Sequence, residues 1–91
     1  MAKATLADRL RLVRSYSEAS ARKISAVAGL SPSHVGYLET TAHANPEART
    51  LEALARVFGV TVGWLLNGEG KPPTAEGVRR SVAARALERV A

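Results

Sequence analysis

His34 and His43 are the only two histidines in the chain, and no cysteine accompanies them. A zinc site draws its ligands from Cys, His and carboxylate at short, defined spacings. Here a helix end falls between the two imidazoles, and Glu39 or another unlikely ligand would have to complete any ligand set, so no metal site is expected. Serines are plentiful, yet none sits in a nucleophile elbow or at a spacing that builds a triad with His and Asp. The seven glycines are scattered at turns and helix ends and form no phosphate-cradling loop. Neither a catalytic residue nor a cofactor is expected, and the chain reads as a protein that is not an enzyme.

The remaining chemistry is electrostatic. Thirteen Lys and Arg against eight Asp and Glu give a net charge of +5, unevenly placed. Met1 to Ser31 carries Lys3, Arg9, Arg11, Arg14, Arg22 and Lys23 against Asp8 and Glu18. Pro32 to Gly70 is net acidic, and from Lys71 onward five basic residues face Glu76 and Glu88. Such a distribution favours a polyanionic partner such as nucleic acid, although solvated charge on helix faces gives the same count. In a 91-residue chain one small core is expected. No apolar run reaches signal-peptide or membrane-span length, so a cytoplasmic protein without membrane association is expected.

Helical elements must position whatever site exists. Leu6, Leu10 and Val13 recur at helical spacing after Thr5, a good N-cap, which predicts a first helix from about Leu6 to Ser15 with its arginines facing water and Tyr16 to Ala19 as the connection. Ser20 caps a short second helix bearing Ile24, Val27 and Ala28, and Gly29 stands where a left-handed residue ends it. Ser31 followed by Pro32 marks a third start, with Val35 and Leu38 turned inward and Ser33, His34, Gly36 and Tyr37 outward. TTAHANPEA is a loop. Leu51, Leu54, Ala55 and Phe58 make an amphipathic fourth helix ended by Gly59, and VTVGWLLNGEG a short fifth. EGKPPT reads as a linker. After it, an alanine-rich tail can form one more helix, with Val82, Ala83, Ala86, Leu87 and Val90 on a weakly apolar face that needs a surface to pack against.

Two helices joined by a turn of about three residues, the first ending in glycine and the second freshly capped, make a helix-turn-helix over about 20–39. Ile24, Ser25, Gly29, Val35 and Leu38 are the apolar, small and left-handed positions such a crossing needs. On ISAVAGLSPSHVGYLE, TLEALARVFGV and VTVGWLLNGEG, residues Leu6 to Gly70 resemble the lambda repressor-like helix-turn-helix family of the Xre/Cro type, and the ending is similar to that of lambdoid phage repressor DNA-binding domains. The resemblance implies an all-α, five-helix DNA-binding domain over 1–70, followed by a linker and tail over 71–91.

It further implies that the third helix lies in the major groove of double-stranded DNA, with Pro32, Ser33, His34 and Tyr37 as base-reading positions. Ser20, Ala21, Arg22 and Lys23, at the start of the second helix, would meet phosphate, as would Thr40, Thr41 and His43 after the third. Family members commonly carry glutamine where this chain has Ala21, and the loop after Glu39 is slightly longer than usual. A homodimer is expected, with Val62, Leu65 and Leu66, or Val82 and Leu87 in the tail, as candidate contact surfaces. The function implied is a sequence-specific repressor on a palindromic operator. The alternative is a protein-interaction module, such as an antitoxin or anti-regulator, that binds a partner protein through the tail.

Overall fold

A computed structural model describes residues 3–90, which form six α-helices and no strand. They are α1 (Leu6–Ser17), α2 (Ala21–Val27), α3 (His34–Thr40), α4 (Ala48–Phe58), α5 (Val62–Asn67) and α6 (Ala75–Val90). The all-α architecture is as expected, with the tail forming the sixth helix.

Local chemistry sets most of the boundaries. At the start of α1 the Thr5 hydroxyl accepts from the Asp8 amide at 3.2 Å while the Asp8 carboxylate accepts from the Thr5 amide at 2.9 Å, a reciprocal cap. Those bonds from Thr5, together with Arg11 nearby, hold the Asp8 carboxyl below its ordinary value. Ser20 and Thr61 cap α2 and α5, accepting from the amides of Lys23 and Trp64. Gly59 and Gly68 end α4 and α5 in the left-handed conformation.

Two boundaries differ from the sequence reading. Helix α1 continues through Tyr16 to Ser17 and ends on Glu18, a non-glycine residue at φ 60°. Ser15 and Ser17, the latter expected in the connection, donate their hydroxyls to the carbonyls of Leu12 and Arg14 within the helix. At the other boundary, Pro32 and Ser33 form a tight turn closed by the His34 amide donating to Ser31 O at 3.0 Å, and α3 proper begins at His34.

The core is built from Leu10 and Val13 of α1, Ile24 of α2, Val35 and Leu38 of α3, Leu54 and Phe58 of α4 and Leu65 of α5, all essentially inaccessible. Helix α6 adds Val78 and Val82 to the same cluster and packs across α1, α4 and α2. The face it buries is therefore Val78, Val82 and, in part, Ala86, at four-residue intervals; Ala83 and Leu87, expected on the packed face, are exposed. The side chain of Val90 lies outside the described residues. No helix among the described residues is long and apolar enough to cross a membrane.

Candidate nucleic-acid interface

Helices α2 and α3 pack together across the turn Ala28–Ser33, and the turn is built by backbone rules. Gly29 sits at φ 75°, a left-handed conformation that other residues adopt only at a cost. That conformation lets the Leu30 amide reach back to Ser25 O at 2.8 Å and the Gly29 amide to Ala26 O at 3.0 Å, closing α2.

Ser25 then does more than keep the crossing narrow. Fully buried, its hydroxyl donates to Ala21 O and accepts from the Val35 amide, each at 3.0 Å. The first amides of a helix lack intrahelical acceptors. Ser33, at the cap position of α3, makes no side-chain bond of this kind, so α2 supplies the acceptor that Ser31 was expected to provide. Replacing Ser25 with alanine leaves the Val35 amide buried and unpaired. The expected cost is about 1–3 kcal/mol, read as a lower midpoint in a urea titration with an unchanged slope.

Tyr37 of α3 is 58% exposed, Pro32 and Ser33 of the lead-in turn are exposed beside it, and His34 is half-buried. None of the side chains of these four residues forms a hydrogen bond within the described residues. The backbone beside them is open: a Cβ built on Gly36 meets nothing within 4 Å. Close helix packing therefore does not account for a glycine in mid-helix. Alanine there should raise stability by about 0.5–1 kcal/mol through its better helix propensity, observable as a higher melting temperature.

Arg22 and Lys23 lie exposed in the first turn of α2, with no ion pair or side-chain hydrogen bond among the described residues, next to Ser20 and the half-buried Ala21. Beyond α3, the Thr40 hydroxyl is turned back onto Gly36 O at 2.9 Å, Thr41 is half-buried, and His43 is exposed with φ 61°.

The arginines of α1 do not simply face water. Arg14 grips Glu39 with two parallel bonds, Nε to Oε2 at 2.6 Å and Nη2 to Oε1 at 2.9 Å, and Arg11 donates to the Glu39 carbonyl. The Glu39 side chain is only 5% exposed. Arg9 reaches the carbonyls of Leu65 and Leu66 at 2.7 and 2.6 Å. From α6, Arg79 donates to Tyr16 O, Ser81 to Val57 O and Arg89 to Val27 O. The last turns of α1 to α5 thus each receive a side-chain donor from another helix, which complements the negative end of each helix dipole.

Glu39 is the residue that sequence reasoning missed at this site. Its signal was its position four residues after Val35, on the buried face of α3, just as Arg14 lies four after Leu10. Two candidates for a dimer surface are also corrected. Leu65 is completely buried and Val82 is 8% exposed, so both belong to the monomer core, filling space that α5 and α6 must close. Leu66 and Leu87 are exposed at 39% and 71%, and Val62 is half-buried.

Residues 5–63 match the family model described as a helix-turn-helix domain, a span that covers α1 to α4 and enters α5. No curated protein and no solved structure matches the chain. With well over half of its 91 residues matched, and with a helical pair crossing at a left-handed glycine, the chain belongs to the helix-turn-helix domain family.

Proposed function

We propose that this protein is a sequence-specific DNA-binding transcriptional regulator of the lambda repressor-like type, a repressor that occupies a palindromic operator as a homodimer. The observation that carries this reading is α3 with its lead-in turn: the side chains of Pro32, Ser33, His34 and Tyr37 make no hydrogen bond among the described residues, and the backbone is open at Gly36, within the matched helix-turn-helix domain. Ser33 and Tyr37 read base edges there, Tyr37 by its hydroxyl or by packing its ring on a thymine methyl, with Pro32 and His34 beside them. Phosphate contacts come from Ser20, Ala21, Arg22 and Lys23, with Thr40, Thr41 and His43 on the far side of α3. Two copies read half-sites about 34 Å apart. Leu66 and Val62 are the dimer surface that remains accessible on α5.

Selecting bound sequences from a random duplex pool tests this reading. An enriched, two-fold symmetric consensus is expected, and Ser33→Ala and Tyr37→Ala should change the preferred bases. A pool that shows no enrichment, or a consensus that both variants share with the parent chain, would sink it. A second reading is favoured by Leu87, which stands exposed on α6: the same fold binding a partner protein through its tail. That protein would bind random duplex weakly and without salt dependence.

A further inference from the structure

The closure of α2 leaves one carbonyl over. Ala28, Gly29 and Leu30 donate back to Ile24, Ala26 and Ser25, and the next acceptor along, Val27 O, falls outside that set. Arg89, in the last turn of α6, donates its Nε to Val27 O at 3.2 Å. The same guanidinium lies against the backbone of the turn, because a Cβ built on Gly29 would overlap Arg89 Nη2. Two contacts from one side chain thus fall on the residues that lead into Ser31, Pro32 and Ser33. Toward the end of α6 only Ala86 still packs in part on the core, while Leu87 and Glu88 are exposed. Helix α6 also lies outside residues 5–63, the part matched to the helix-turn-helix domain.

We propose that Arg89 is a positioning residue for the reader helix: it clamps the end of α2 and the Gly29 turn, and so couples α6 to the angle at which α3 is presented. The inference rests on the DNA-reading role proposed above. Base-edge recognition requires side chains held to within about 0.5 Å, so a turn free to rock loses discrimination before it loses charge. Phosphate attraction needs no such placement.

The test compares the full chain with Arg89→Ala and Arg89→Lys, using three readouts. In the free protein, amide hydrogen exchange at Leu30 and Val35 should speed up about tenfold in Arg89→Ala, the low end of what a hydrogen bond from a charged donor contributes, while core amides of α4 stay unchanged. The ratio of affinities for the selected operator and for random duplex should fall by about the same factor. The salt slope should not move, and Arg89→Lys, which retains a donor, should recover part of both effects. Unchanged exchange, faster exchange in every core amide alike, or faster local exchange with an unaltered affinity ratio would each overturn the proposal. So would an equal loss on all duplexes with a salt slope shallower by about 0.9, the mark of a phosphate contact. A parent chain that binds no duplex overturns the DNA-binding function instead, and the exchange measurements then still decide whether Arg89 holds the turn.

Discussion

Arg14→Ala is expected to lower stability by about 3 kcal/mol, near the lower end of the cost of breaking a buried ion pair from one side. The asymmetry of the pair sets this magnitude. The Glu39 side chain is 5% exposed and that of Arg14 30%, so removing the arginine leaves a carboxylate that water reaches poorly. Removing the acid instead leaves a guanidinium with a wet edge and a remaining bond to Ala19 O, and Glu39→Gln should cost about half as much. The double replacement Arg14→Met with Glu39→Leu should recover most of the loss, because neither charge then needs solvating. Urea midpoints of the parent, Arg14→Met, Glu39→Leu and their double replacement form a closed cycle. If Arg14→Ala shifted stability by less than about 0.5 kcal/mol, the pair would be a solvated one. The bond to Glu39 raises the Arg14 pKa above its ordinary value despite the opposing cost of burial. A raised folded pKa contributes stability that is fully present below the unfolded value and lost only as pH climbs through the folded one. For arginine that window lies in strong alkali, so Arg14 should add no pH dependence across the neutral range.

Arg22→Ala combined with Lys23→Ala is expected to abolish most DNA binding at moderate salt while leaving the fold intact. Both side chains are exposed, with no pairing among the described residues, so their loss should change the melting temperature little. Each phosphate contact contributes about 0.9 to the slope of log affinity against log salt, and the pair should flatten that slope by about 2. The loss should be uniform across sequences, in contrast to Ser33→Ala and Tyr37→Ala, which redistribute preference. A slope identical to the parent's would remove the start of α2 from the contact surface.

Local signals in the chain were legible because they act over a few residues. Thr5, Ser20 and the glycines at 29, 59 and 68 start or stop helices through bonds to near neighbours, and the apolar spacing of α1 and α4 fixes which faces turn inward. Pairings between distant residues were not. Arg9 meets Leu65 across 56 positions and Arg89 meets Val27 across 62, and nothing in the spacing of either arginine names its acceptor. For the same reason Ser31 read as the cap of α3: the actual acceptor, Ser25, sits ten residues before Val35 on a neighbouring helix. The end of α1 was misplaced because Glu18 adopts a conformation that sequence patterns reserve for glycine. At the candidate interface the outward positions of α3 followed from the period of Val35 and Leu38. Which cations are held by carbonyls of other helices followed only from the tertiary fold.

The donors that Arg9, Arg11 and Arg79 send to foreign carbonyls mislead a particular experiment. Scanning the basic residues by gel shift alone would mark these three as DNA contacts, since loosening a helix end also degrades retention. Pairing every such variant with a thermal melt separates mortar from fingertips, and only positions silent in the melt belong on a map of the protein–DNA boundary.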